Sequence, residues 1–235
     1  MPSKRFVKAA SLVDPKATYT LDQAVSLLKE LPAVKFDETV ELSASLNIDP
    51  KKTDQILRGT ATLPHGSGKV PRILVFCKGE KEIEAREAGA DHVGAADLIN
   101  KIQGGWLDFD VTVATPDLMR DVSRLGRVLG PRGLMPNPKA GTVTDDVAKA
   151  VQELKRGKVE FKMDKLANVH FVIGKRSFEA KQLTENGQVA VEAIVRAKPS
   201  SVKGRLIRRL SVSSTMSPGI ALKTEGLEAD VATRE

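Results

Sequence analysis

The sequence predicts an α+β domain assembled from both ends of the chain, with a separate α/β unit inserted between them. Three observations carry this prediction. Alternating apolar and polar residues, the period of a half-buried strand, appear near the N-terminus and return only after residue 158. Between them the run 73–77 is continuously apolar, as in a strand covered on both faces, and strands alternate with helices. Both changes of style coincide with glycine-bearing breaks, one at Gly66 and Gly68, the other at Gly157. The expected division is residues 1–67 with 159–235 for the split domain and 68–158 for the insert. The two chain crossings form a hinge at Gly66, Gly68 and Gly157.

Each element has a local reason. Thr20 followed by Gln23 is a capping-box pattern, and Leu21, Ala24, Val25, Leu28 and Leu31 mark one helical face that Pro32 ends. From Phe36 the period becomes two. Phe36, Val40, Leu42, Ala44, Leu46 and Ile48 alternate with polar residues, and Asp37 and Glu38 are expected on opposite faces of this strand. A turn at Asp49 and Pro50 leads to a second strand, about 56–63. In the insert, strands are expected near 73–77, 92–93 and 111–114, and helices from Glu80 to Gly89 and near 98–102. Pro116 takes the first position of a further helix, and a helix capped by Thr144 is closed by Gly157. Beyond it lie strands marked by Val159, Phe161 and Met163 and by Val169, Phe171 and Ile173. A helix over 179–197 and a last strand through Leu206, Leu210 and Val212 complete the chain.

Composition narrows the class. Hydrophobic residues are 41% of 235, enough for packed cores, and the net charge of +7 favours an anionic partner such as nucleic acid. Aromatics are only 4%, so serial stacking of bases on exposed rings is not the expected mode. The single cysteine, Cys77, sits in an apolar run and reads as a buried structural thiol. No segment has the apolar length of a signal peptide or a membrane span, so the protein is expected in the cytoplasm, or in an organelle if a transit peptide has been removed. Between residues 193 and 224 there are seven Lys/Arg and no carboxylate, interleaved with Ser211, Ser213, Ser214, Thr215 and Ser217. Hydroxyls beside cations suit phosphate and ribose.

Enzyme chemistry finds little support. His65, His92 and His170 are far apart and have no cysteine partners, so no metal site is expected. The turn after residue 77 has one glycine rather than a dinucleotide fingerprint. The segment 128–143, VLGPRGLMPNPKAGTV, holds three glycines and three prolines, which exclude a helix or interior strand and predict one long ordered loop. Counted from Gly133 it has P-loop spacing, with Lys139 where the lysine belongs. Pro138 and Ala140, however, replace the second glycine and the hydroxyl that a P-loop requires. A nucleotide-using enzyme is the alternative these residues disfavour, and no cofactor is expected.

That loop, with KFDETVEL (35–42), LPHGSGK (63–69), AGADHVG (88–94), FDVTVATPD (109–117) and SSTM (213–216), closely resembles the bacterial large-subunit ribosomal protein L-one family over nearly the whole chain. The resemblance implies a split α+β domain and an inserted Rossmann-like domain that binds no nucleotide. It implies a protein of the ribosome that grips a stalk helix–loop of large-subunit ribosomal RNA, assists release of deacylated exit-site tRNA and, in many relatives, represses its own operon messenger RNA. No membrane association or self-association is expected. Carried over by position, the RNA contacts are Lys35, Phe36, Thr39, Lys165, His170, Lys203, Ser211, Ser213, Thr215, Met216 and Ser217. Phe36 and Met216 read equally as core residues by type. Three positions depart from the family pattern. Ser217 and Ala167 replace its usual glycines, and Met163 its usual asparagine. If the first glycine admits close approach of RNA backbone, serine there should weaken or reshape the contact.

Overall fold

The computed structural model describes residues 3–224; the acidic ending at 225–235, read from sequence as a solvated tail, lies outside the described residues. In chain order the elements are α1 (Lys4–Leu12), α2 (Leu21–Glu30), β1 (Thr39–Leu46), β2 (Arg58–Thr62), β3 (Ile73–Phe76), α3 (Glu80–Glu87), β4 (His92–Gly94), α4 (Ala96–Gln103) and β5 (Val111–Ala114). They continue as α5 (Met119–Val122), α6 (Gly126–Leu129), α7 (Val147–Lys155), β6 (Lys158–Lys162), β7 (Asn168–Lys175), α8 (Ala180–Arg196), β8 (Ile207–Ser214) and β9 (Ile220–Leu222). The chain divides into two compact units, Met1–Gly68 with Gly157–Glu235, and Lys69–Arg156.

The first unit is built on a four-stranded antiparallel sheet of order β7-β1-β8-β9. Its buried face follows from the sequence period: Val40, Leu42, Ala44 and Leu46 of β1 point inward with Val169, Phe171 and Ile173 of β7 and Leu210 and Val212 of β8. Helices α2 and α8 pack over that face, α2 against β8 and β9 and α8 against β7. Gly187 lets the two helices approach, because a Cβ there would meet Leu21 Cδ2 at 2.9 Å. The capping box of α2 forms, with Thr20 Oγ1 accepting from Gln23 N and Gln23 Oε1 from Thr20 N. Strands β2 and β6 pair separately as a two-stranded sheet. At the crossing point Gly157 has φ +102° and a Cβ there would lie 2.4 Å from Gly66 Cα, so the backbones touch and no side chain fits.

The second unit is a three-stranded parallel sheet, order β4-β3-β5, covered on both faces. Leu74 and Phe76 face α4 and the helical run 116–129, while Ile73, Val75 and Cys77 face α3 and α7. That double cover is why the strand reads as a continuous apolar run. Cys77 is wholly buried, and burial pushes its thiol up to about 11. No helix among the described residues is long and apolar enough to cross a membrane.

Several expectations are corrected. The N-cap of α7 is Asp146, whose carboxylate accepts from Lys149 N at 3.1 Å, and Thr144 instead accepts from Asp146 N. The loop 128–143 is helical at its start, since α6 runs to Leu129, and takes a 3-10 turn at Pro138–Ala140; its end meets β5 through Ala114 N–Thr142 O and Thr144 N–Ala114 O bonds. Asp37 and Glu38 precede β1 rather than standing on it. Helix α1 and strand β9 escaped the sequence reading: one lies in a segment read only for targeting signals, the other is three residues long.

Candidate nucleic-acid interface

No helix among the described residues covers the outer face of the four-stranded sheet, which is built in rows. Antiparallel register puts Ser43 between His170 and Ser211, Glu41 between Val172 and Ser213, and Ser45 between Asn168 and Arg209. Thr39 sits opposite Lys175, whose Nζ donates to Thr39 Oγ1 at 2.8 Å. Side chains of paired residues share a face, so hydroxyls, an imidazole, an amide and cations form one polar surface. Glu41 is the one carboxylate in these rows. From Thr39 to Ser45 the surface runs about 20 Å along β1.

The eleven residues carried over by resemblance all lie on this unit and fall into three groups. His170, Ser211 and Ser213 stand in the middle rows, with Ser43 Oγ and His170 Nδ1 3.1 Å apart. Lys35, Phe36, Thr39, Thr215, Met216 and Ser217 gather at one end, where Thr215 N donates to Thr39 O at 3.0 Å and Thr39 N to Thr215 Oγ1 at 3.1 Å. Lys165 and Lys203, both exposed, belong to loops at the other end, in the turn before Asn168 and the loop before Ile207. The core alternative for Phe36 and Met216 is overturned: they are 54% and 49% exposed, because each stands in a loop outside the strand alternation.

The first end is organised by a buried carboxylate. Glu38 is fully buried, and its Oε2 accepts from Arg176 Nη1 at 2.7 Å. Its Oε1 accepts from Ser214 Oγ at 3.1 Å and Met216 N at 3.0 Å. Arg176 Nη2 donates onward to the Lys29 and Leu31 carbonyls at the end of α2. Arg5 of α1 donates to Met216 O at 2.8 Å and Pro32 O at 3.3 Å. A turn from Ser214 to Ser217 follows, closed by Ser217 N–Ser214 O at 3.1 Å, with Ser217 Oγ accepting from Ser214 N at 2.8 Å. Ser217 does not have positive φ, so no glycine is needed there on conformational grounds.

At the other end Ala167 has φ +61°, the only non-glycine residue in that region among those described, a conformation that glycine adopts at least cost. Asp164 pins the turn by accepting from Asn168 N at 2.7 Å and Leu166 N at 2.8 Å, and these bonds, the Asn168 N–H first, hold its carboxyl below the usual range. Met163 is buried beneath the turn.

Sequence reasoning did not place Glu38, Ser43, Ser45, Asn168 or Lys175 at the site, and it had Arg209 only as one of the seven cations between residues 193 and 224. Cross-strand register brings these together, and one chain's periodicity does not reveal it. Glu38 did carry a signal: it is in phase with Val40 on the buried side.

The polar face holds no catalytic constellation among the described residues. Ser43 and His170 touch, but no hydrogen bond from a carboxylate to the second imidazole nitrogen is present among the described residues. In the second unit the P-loop-like segment spends its N–H groups internally, Gly133 on Gly130 O and Ala140 on Asn137 O. No group of His, Cys, Asp and Glu among the described residues can hold a metal.

Fold and face together define a mixed α/β protein with a broad, polar, cation-bearing sheet surface. The chain belongs to the Ribosomal protein L1p/L10e family, whose model matches residues 27–218. It is 54% identical over 234 residues to a "Large ribosomal subunit protein uL1" from Protochlamydia amoebophila, covering all of this chain and 98% of that protein. A protein of the same name from Kosmotoga olearia is 56% identical over 220 residues, 94% of this chain and 95% of the relative. A third, from Rhodococcus erythropolis, is 54% identical over 98% of both.

Proposed function

We propose that this chain is a structural protein of the large ribosomal subunit in the cytoplasm, with no catalytic step. It binds large-subunit ribosomal RNA at the mobile stalk near the tRNA exit site and assists release of deacylated tRNA. By the same surface it binds its own operon messenger RNA and represses translation. In this reading the split α+β domain is the RNA grip, the insert is a Rossmann-like domain without nucleotide, and Gly66, Gly68 and Gly157 are the hinge positions of the two chain crossings.

The observation that carries the reading is the outer sheet face, where Ser43, His170, Ser211 and Ser213 lie between a Lys35, Thr215, Met216 end and a Lys165, Lys203, Arg209 end. Hydroxyls can both donate to phosphate and accept from ribose 2′-OH, which suits RNA over DNA. Strand-borne side chains hold fixed spacing, so the surface reads shape at low entropic cost. The names of the relatives support the ribosomal assignment. The test is affinity for a stalk fragment and for a scrambled hairpin across a salt series. Selective binding that persists at moderate salt supports the proposal, and equal, weak binding to both RNAs contradicts it.

A further inference from the structure

The loop at 128–143 is the most distinctive stretch of sequence, and the sheet face leaves it unused. It continues a helical run over 116–129 whose inner face is Leu118, Val122, Leu125 and Leu129, all buried. Arg120, Arg124 and Arg127 are exposed and recur at i, i+4 and i+7, two residues out of phase with the buried set and hence on the opposite side. The run is made of short turns, 3-10 at Pro116–Leu118 and Ser123–Leu125 and α at Met119–Val122 and Gly126–Leu129, so the three positions step roughly 6–8 and 4.5–6 Å along it. Past Leu129 the chain turns through exposed Gly130, Pro131, Arg132 and Gly133, with Gly133 at φ +70° facing open space. Leu134 O accepts from Thr112 Oγ1, and Asn137 and Thr142 bond to each other, so the loop holds Arg132 beyond the end of the arginine row.

We infer that Arg120, Arg124, Arg127 and Arg132 form a second RNA-contact surface, on the second unit, that grips the phosphate backbone of an RNA helix without reading sequence. No carboxylate occurs from residue 122 to residue 144. Asp117 precedes the row and Asp121 lies within it, but the Arg124–Asp121 pair is an exposed contact of 4.0 Å, loose enough for phosphate to displace the carboxylate. Arginine suits the task, since its fork bonds phosphate bidentately. Among the described residues no exposed aromatic stands beside the row, so bases have no ring to stack on; the polar residues that otherwise line the shallow hollow next to Asp121 and Arg124 are Lys78, Asn100 and Gln103. A row of guanidiniums one helical turn apart fits a strand of regularly spaced charges better than the irregular acidic side chains of a protein. This inference stands apart from the sheet-face reading.

The test uses the full chain and its Arg120→Gln/Arg124→Gln/Arg127→Gln variant, with a mixed-sequence RNA duplex that has no stalk-like loop as probe. The variant should keep its thermal midpoint, bind the duplex about tenfold more weakly at low salt, and show a salt slope shallower by about 2. The triple Lys variant should retain most of the slope. Unchanged duplex affinity and slope in the Gln variant would overturn the inference, as would loss of binding to polyglutamate alone, which would assign the row to an acidic protein. Because the duplex has no stalk loop, a failed sheet face shows instead as lost selectivity for the stalk fragment.

Discussion

The buried Glu38 and the partly buried Arg176 form an ion pair, 2.7 Å between Oε2 and Nη1, that ties the start of β1, the end of α2 and the 214–217 turn to one point. Neither residue faces the outer sheet surface, yet the backbone of Met216 hangs from the carboxylate. Removing one member of such a pair leaves a buried charge without a partner, at a cost of about 3–5 kcal/mol. Glu38→Ala should therefore lower unfolding free energy by about that amount in urea titration, and RNA affinity should fall with it as the turn loosens. A loss below about 1 kcal/mol would mean that Arg176 finds solvent.

The Ser217 hydroxyl accepts from the N–H of Ser214, a residue only 5% exposed. Leaving that N–H unmet costs roughly 1–3 kcal/mol. Ser217→Gly is expected to destabilise the chain by about 1–2 kcal/mol, read by thermal or chemical unfolding. An unchanged midpoint would show that water replaces the hydroxyl.

Ala167 is held at φ +61° with Leu46 N bonded to its carbonyl at 2.8 Å. A β-branched side chain is still more crowded in the left-handed region than alanine. Ala167→Val should cost roughly 2 kcal/mol or more, whereas a neutral outcome would require the turn to rearrange, visible as altered exchange of the Asn168 amide.

In the second unit Asp110 accepts from Lys69 Nζ at 2.7 Å and from Arg72 N and Nε. Lys69 first, then the Arg72 backbone N–H, lowers its carboxyl from 3.8 to about 2. A depressed folded value means that the stabilisation is complete above the unfolded value, near 4, and is lost as pH falls through about 2. Stability of the wild type should thus decline between pH 4 and 2, and Asp110→Asn should flatten that decline. Parallel curves would contradict the assignment.

How much of this was readable from the residues depends on the range of the forces involved. The strands around Val40–Leu46 and Val169–Ile173, the capping box at Thr20 and the α8 boundaries follow from local periodicity and capping, which one stretch of chain states by itself. The rows that place Ser43 beside His170 and Ser211, or Arg209 beside Ser45, arise from pairing across more than a hundred residues, and local sequence is silent on register. Glu38 was legible in phase but not in partner, since nothing local announces Arg176. Asp146 rather than Thr144 caps α7 because both are good caps two residues apart, and packing of Val147 and Val151 chooses between them.

The most direct measurement is the affinity of the wild type and of Ser211→Glu for a stalk fragment of large-subunit ribosomal RNA, each beside a scrambled hairpin. Ser211 sits in the middle row next to Ser43, where a carboxylate would face the phosphates. The account predicts selective binding by the wild type and at least about a hundredfold loss in the variant, with the unfolding midpoint retained, since the position is on a partly exposed face. Equal affinity of the two proteins for the stalk fragment would place the RNA elsewhere and contradict the proposed interface.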